Sequence, residues 1–289
     1  MKPLSVGVLP PFLVLDPLLR HWLAEDIGRG DRTTQSLFVS GSPPGKAYWI
    51  VKEAGIVAGL SVALRVFQLL DSRVQFEVFV ADGDRCEVGQ RLVQIEGPLD
   101  TLLIGERVAL NLMMRLSGIA TMTRRFAEAI ADLPATLVDT RKTTPGLRIL
   151  EKYATQVGGA VNHRLGLDDS IMIKDNHIAA VGSIRDAIAQ IRAYAPYPLA
   201  IEVEAETLDQ VQEALQYKAD IIMLDNMPVE MMRQAVQMIR ETRDSVKVEA
   251  SGNITLETIR DVAITGVDYI SSSAPITRST WLDLSMRLM

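Results

Sequence analysis

Between Asp139 and Lys174 the chain carries Arg141, Lys142, Arg148, Lys152, Arg164 and Lys174, with His163 among them, against only Asp139, Glu151, Asp168 and Asp169. The whole chain has a formal net charge of −6, so this stretch reverses the prevailing sign. A cationic pocket on an acidic protein suits a small anion, because the rest of the surface would repel a polyanion. Arginine offers a planar fork for carboxylate or phosphate, and lysine a mobile point charge. Together they suit a ligand with several such groups. Lys174 directly follows the apolar run Ile171-Met172-Ile173, which puts it at a strand end. There it could form a Schiff base with a carbonyl or bind a carboxylate.

A second set of candidates is acidic. Glu202 and Glu204 stand two apart in a strand-like run, so both face one side and Val203 the other. Asp225 ends the next apolar run. Such carboxylates can hold a divalent cation or ribose hydroxyls, or can pair with nearby Arg and Lys. Ala250-Ser251-Gly252-Asn253 follows another apolar run, with Thr255 placed to cap the next helix. Glycine would let a phosphate approach the backbone and a helix start would present free N–H groups, although the same residues also make an ordinary strand–helix turn. His21 and His177 receive no role, and the lone Cys86 reads as a small buried side chain.

These groups need a scaffold that gathers them. After residue 135, short apolar runs at 136–138, 171–173, 199–203, 221–224, 246–248 and 269–270 alternate with helix-length segments at 184–194, 208–217, 230–241 and 256–263. Apolar runs without alternation mark strands buried on both faces, as in a parallel sheet wrapped by helices. Nearly every run ends in polar groups, and a closed parallel barrel would bring all those ends to one mouth. That favours a barrel over an open sheet, with a further strand expected within 157–162. Before residue 135 the pattern is mixed: helices near 18–25 and 62–70, strands at 47–51 and 91–95, an alternating half-buried strand through Val74, Phe76, Val78 and Val80, and a long helix over 99–130 broken near Ser117-Gly118. The tail 282–288 alternates again and is expected to return to this first domain as an edge strand.

Composition sets outer limits. A hydrophobic share of 48% with 23% charged residues is that of an ordinary globular protein, and the acidic balance argues against nucleic acid as a partner. The apolar stretch 4–19 is interrupted by Pro10, Pro11, Asp16 and Pro17, too broken to span a bilayer. A single cysteine gives no disulfide framework, and the expectation is a cytoplasmic protein.

Several segments, in order and spacing, resemble the quinolinate phosphoribosyltransferase family. They are Asp139-Thr140-Arg141-Lys142-Thr143-Thr144-Pro145-Gly146, Asn162-His163-Arg164, Ile173-Lys174-Asp175-Asn176-His177, Glu202-Val203-Glu204, Leu224-Asp225-Asn226 and Glu249-Ala250-Ser251-Gly252. Glu25-Asp26-Ile27-Gly28 and Glu106-Arg107 match upstream, so the resemblance spans roughly residues 20–280. It implies an N-terminal α/β sandwich (1–116, joined by the tail 278–289) and an incomplete, seven-stranded α/β barrel (117–277). It also implies an enzyme, a pentosyltransferase of NAD synthesis. The implied reaction joins quinolinate to phosphoribosyl pyrophosphate and releases pyrophosphate and carbon dioxide to give nicotinate mononucleotide. Carried over by motif, Arg141, His163, Arg164 and Lys174 would grip the quinolinate carboxylates, and Arg107 would reach the same site from a partner subunit. Lys142 would contact the pyrophosphate donor, Glu204 and Asp225 its ribose and magnesium, and Ser251, Gly252 and Asn253 its 5′-phosphate. Lys142, Lys174, Glu204 and Asp225 are the implied catalytic residues, while Thr140, Ser272, Ser273 and Ala274 complete the binding set. No direct protein-held metal is implied: magnesium accompanies the donor. The implied assembly is a homodimer with a shared site, which a hexamer of dimers would repeat. Two positions depart from the family pattern, with Ser272 standing where a glycine is usual and Arg278 where a histidine is usual.

Overall fold

The computed structural model describes residues 7–289; Leu4, Ser5 and Val6, at the start of the apolar N-terminal stretch, lie outside them. The chain divides into two compact units, and the described residues of the first are 7–124, 144–159 and 279–289. Its elements are α1 (Phe12–Ile27), α2 (Arg32–Leu37), β1 (Pro44–Val51), β2 (Gly55–Ile56), α3 (Leu60–Leu70), β3 (Gln75–Val78), β4 (Arg85–Cys86), β5 (Arg91–Pro98), the start of α4 (Leu99–Ala129) and α5 (Arg148–Gly158). The tail strand Leu284–Leu288 pairs antiparallel with β1, which pairs with β5 and that with β3. The tail therefore returns as an edge strand, as its alternation suggests. Trp49 and Phe67 are fully buried between this sheet and α3, with ring centroids 6.1 Å apart.

Three local expectations change. The Val74–Val80 alternation does not make a half-buried face, because β3 is the other edge strand and Val78 is exposed. Nor does α4 break at Ser117-Gly118: it runs unbroken through both residues. Gly118 is there for space, since a Cβ would lie 1.9 Å from the Thr280 carbonyl oxygen where the tail crosses the helix. Ser117 uses its hydroxyl to accept the Ala58 N–H at 3.0 Å. The segment 144–159, inside the 117–277 boundaries drawn for the barrel, packs with the first unit. Within it Glu151 is fully buried, and Arg115 (3.0 and 2.7 Å) and Thr144 (2.8 and 2.9 Å) donate to its carboxylate, which offsets the cost of burying the charge.

The second unit contains residues 125–143 and 160–278. Its strands are β6 (Thr136–Val138), β7 (Ile171–Ile173), β8 (Ile201–Ala205), β9 (Ile221–Asp225), β10 (Lys247–Ser251) and β11 (Tyr269–Ser271). They form one parallel sheet in the order β6-β11-β10-β9-β8-β7. The helices α6 (Asp175–Val181), α7 (Ile184–Tyr194), α8 (Leu208–Gln216), α9 (Val229–Arg243), α10 (Ile259–Ala263) and α11 (Ala274–Thr277) fall between or after them. Val203, Ile222, Leu224, Val248 and Ala250 are fully buried on one face of the sheet. The strand expected within 157–162 shrinks to a single parallel bridge, Val161 to Val138. Helix α5 occupies the residues up to Gly158, and Asp139 takes the His163 N–H just afterwards, which leaves no length for a ladder.

The sheet curls strongly. Val161 and β8 are five strand positions apart, roughly 24 Å in a flat sheet at ~4.8 Å per strand. Yet His163 Nε2, two residues beyond Val161, lies 3.1 Å from Glu202 Oε2 on β8. Arg164 likewise donates to Ser170 O at 3.0 Å and reaches Met172 Sδ at 3.7 Å, on and beside the opposite edge strand β7. No ladder joins the two edges among the described residues. The architecture is an incomplete barrel of six strands with a one-residue seventh rung.

Candidate active site

A cavity of about 850 Å³ opens where the C-terminal ends of all six strands meet. Alternation explains its lining. Met172 and Lys174, Glu204, Met223 and Asp225, and Glu249 and Ser251 face the cavity, while the residues between them face the helices. Thr140, Arg141, Lys142, His163, Arg164, Lys174, Glu204, Asp225, Ser251, Gly252, Asn253, Ser272, Ser273 and Ala274 all line it. Arg107 belongs to the first unit, on α4, with its side chain 59% exposed beside Glu106.

The cationic side is held by buried acids. Asp139 is buried and accepts the His163 N–H at 2.9 Å and the Asn162 amide at 2.6 Å, which ties the 162–164 segment to the end of β6. Arg164 sits partly buried close to Arg141. Burial first, and then the Arg141 charge, hold its pKa below the usual arginine value, with Glu202 and Glu204 working the other way. Two guanidinium groups driven together in a half-buried pocket favour an anion between them. Lys174 forms an ion pair with Glu204, its neighbour at the end of the adjacent strand. His177, given no role by the sequence, fixes the Lys174 main chain: its Nδ1 accepts the Lys174 N–H at 3.0 Å where α6 begins.

On the acidic side, burial raises the Glu204 carboxyl pKa; Lys174 opposes the shift, and the Asp225 and Asp175 charges add to it. A carboxylate crowded by another carboxylate is stabilised by a cation, and the hard oxygens of Glu204 and Asp225 suit magnesium. Asn226 donates to Asp225 at 2.8 Å, and its own N–H reaches Ser251 O at 3.0 Å, knitting the β9 and β10 loops. Gly252 has φ +96°, and a Cβ there would lie 2.2 Å from Asn226 Oδ1. Only glycine fits that approach.

Thr255 is not a helix cap. The helix after β10 is the five-residue α10, which starts at Ile259, and the Thr255 N–H donates to Thr258 Oγ1 instead. The expected helix-start anion site is therefore absent, leaving the main chain of the Ser251–Asn253 turn. The Ser272 hydroxyl donates to Ile254 O at 3.1 Å, so it braces the loop. Arg278 joins the lining from the end of α11.

Two further glutamates share the inner face: Glu202, which the sequence clusters with Glu204, turns to a histidine instead, and Glu249 is given no role by the sequence. Glu202 and Glu249 are 2% and 3% exposed and both point at His163 Nε2, at 3.1 and 3.6 Å. Burial, then the Glu202 charge, pushes the Glu249 pKa well above the usual carboxylate range, with His163 opposing. The signal was available: Glu202 and Glu249 each stand two residues before an expected site residue, Glu204 and Ser251, and so share its face.

Comparison with known proteins agrees with this architecture. Residues 31–117 match the N-terminal domain of quinolinate phosphoribosyl transferase and residues 119–287 its C-terminal domain. A Synechocystis protein described as a probable nicotinate-nucleotide pyrophosphorylase (carboxylating) is 55% identical over 288 residues, covering 100% of this chain and 97% of its own. A Bacillus subtilis protein of the same description is 47% identical, covering 95% and 93%. The crystal structure of NadC from Streptococcus pyogenes superposes with a TM-score of 0.92 at 45% identity, covering 98% of each chain. The motifs, the curled parallel sheet and these matches agree, and the chain belongs to the quinolinate phosphoribosyltransferase family.

Proposed function

We propose that this chain transfers the phosphoribosyl group of phosphoribosyl pyrophosphate to quinolinate, with loss of carbon dioxide, to make nicotinate mononucleotide for NAD synthesis. The observation that carries this reading is the polarity of one cavity: Arg141, Arg164 and Lys174 stand together, with Glu204 and Asp225 beside them. Quinolinate has adjacent carboxylates, which the cationic side neutralises and orients. The ribose lies toward the acids. Its C1′–O bond to pyrophosphate breaks with the electron pair leaving on oxygen, and the pyridine nitrogen bonds to C1′. Positive charge that builds on the sugar is stabilised by Glu204 and Asp225, and Lys142 meets the departing pyrophosphate. The ring nitrogen is then cationic. The C–C bond to the neighbouring carboxylate breaks, its electron pair stays on the ring carbon beside that nitrogen, and a proton replaces carbon dioxide. No nucleophilic side chain is needed; positioning and charge carry the reaction.

Magnesium is the proposed cofactor, and it would be carried mainly by the donor's pyrophosphate, beside Glu204 and Asp225. Bound there, it would neutralise the leaving group. The Ser251–Asn253 turn takes the 5′-phosphate. Arg107 serves the cavity of a second copy in a homodimer, and the proposed setting is the cytoplasm. No helix among the described residues is long and apolar enough to cross a membrane.

The reading is tested by incubating the protein with quinolinate labelled at the 2-carboxylate, phosphoribosyl pyrophosphate and magnesium. Equal yields of nicotinate mononucleotide, pyrophosphate and labelled carbon dioxide are expected. No turnover, or a product that keeps both carboxylates, would refute it.

A further inference from the structure

His163, Glu202 and Glu249 make up the one cluster among the described residues whose spacing could hold a metal ion. Hydrogen bonding argues against that use. His163 Nδ1 accepts the Arg164 main-chain N–H at 2.9 Å, so the ring proton of a neutral imidazole must sit on Nε2. A metal-bound histidine needs the opposite arrangement, a lone pair toward the ion and an N–H on the far nitrogen. Here Nε2–H instead faces Glu202 Oε2 at 3.1 Å and Glu249 Oε2 at 3.6 Å.

The cost of this arrangement is large enough to need a reason. Both glutamates are almost wholly buried, and Oε1 of Glu202 has no hydrogen-bond partner in the protein. Leaving a buried carboxylate oxygen unsatisfied costs about 1–3 kcal/mol or more, and native structures keep few such groups. Two strands separated by β9 each aim one at the same ring nitrogen. What the ring does in return is hold the next residue: Nδ1 fixes the Arg164 N–H, while Asp139 fixes the His163 N–H. The imidazole is thus clamped at both ends, and the backbone that launches the Arg164 side chain is clamped with it.

We infer that Glu202 and Glu249 are positioning residues that lock the His163 ring as its Nε2–H form and so aim Arg164 at the carboxylates of the diacid. They act through His163 and do not themselves touch substrate. The inference rests on the proposed diacid site, but its first test does not.

That test is a long-range proton–nitrogen correlation spectrum of the ¹⁵N-labelled, ligand-free protein. Its 3 histidines allow the His163 signal to be found by comparison with His163→Gln. A protonated Nε2 and an unprotonated Nδ1 are expected; a ring protonated at Nδ1 alone would overturn the inference. The second test uses Glu202→Ala, Glu249→Ala and Glu249→Gln. With the alanines, KM for quinolinate should rise about 10-fold or more, while kcat and KM for phosphoribosyl pyrophosphate stay within about 3-fold. Glu249→Gln, whose amide oxygen keeps a partial negative charge facing the Nε2 proton, should recover most of the loss. A purely structural role would lower the melting temperature and move both KM values together, which would contradict the inference. So would quinolinate KM values within about 2-fold of wild type in both alanine variants. Should the wild-type protein ignore quinolinate, the functional reading fails, while the same spectrum of Glu202→Ala and Glu249→Ala still tests the clamp: a His163 signal unchanged in both would overturn it.

Discussion

Replacing Lys174 by methionine keeps the length of the side chain and removes its charge. The side chain is 42% exposed, so little packing is lost and stability should fall by no more than about 1 kcal/mol, the worth of the lost ion pair. Binding is a different matter. A hydrogen bond between charged groups contributes about 1.5–3 kcal/mol. In the unliganded protein Lys174 is already paired with Glu204, whose side chain is only 14% exposed, and that pair must open before a substrate carboxylate can replace it. A partly exposed pair of this kind is worth about 0–1 kcal/mol, to be subtracted. At the midpoints of the two ranges the difference is about 1.8 kcal/mol, which corresponds to a rise of about 20-fold in KM for quinolinate. Steady-state kinetics with quinolinate varied at saturating donor measures it, beside a thermal melt. A KM within about 2-fold of wild type, or a melting temperature that falls further than the lost ion pair accounts for, would refute the reasoning.

Further expectations concern other parts of the site and scaffold. Arg141→Lys should not rescue Arg141→Ala, because a point charge cannot replace a planar fork beside Arg164; both should lose quinolinate turnover by at least about 10-fold in the same assay. Gly252→Ala forces a Cβ onto Asn226 Oδ1 at a φ of +96°, so stability should drop by about 1–3 kcal/mol in urea unfolding and KM for phosphoribosyl pyrophosphate should rise. Gly118→Ala meets the Thr280 carbonyl oxygen at 1.9 Å, and a loss of about 1–3 kcal/mol or more in urea unfolding is expected as the tail is pushed off α4. Mixing Arg107→Ala and Lys174→Ala subunits, assayed at quinolinate well below the wild-type KM where each variant alone is impaired, should restore part of the activity if Arg107 serves a second copy's cavity; proven mixed dimers with no recovery would show a self-contained site.

Much of the second unit was legible because its strands are short apolar runs that stop at charged residues. Asp139, Lys174, Asp225 and Ser251 mark strand ends in the sequence as they do in the structure. The alternation rule that placed Glu204 and Ser251 on the cavity face also places Glu202 and Glu249 there. What hid their use was distance: β8, β10 and the residue after Val161 meet only because the sheet curls, and no local pattern encodes that. The break expected in α4 had a related cause. A Ser-Gly pair weakens a helix in isolation, but here glycine makes room for the chain at Thr280, more than 150 residues later in sequence. Thr255 illustrates competition between caps: Thr258, three residues on, captures its N–H and delays the helix to Ile259. His177 was passed over because a histidine that holds a neighbouring main-chain N–H has no signature in sequence.

The central claim, that fixed cations at the barrel mouth grip both carboxylates of a diacid, is tested most directly by a crystal structure of the protein with quinolinate bound. The account predicts the carboxylates within hydrogen-bond distance of Arg141, Arg164 and Lys174, with Lys174 drawn off Glu204 and the ring nitrogen turned toward Glu204 and Asp225. Quinolinate bound elsewhere, or seated with Lys174 still paired to Glu204 and the guanidinium groups untouched, would contradict it.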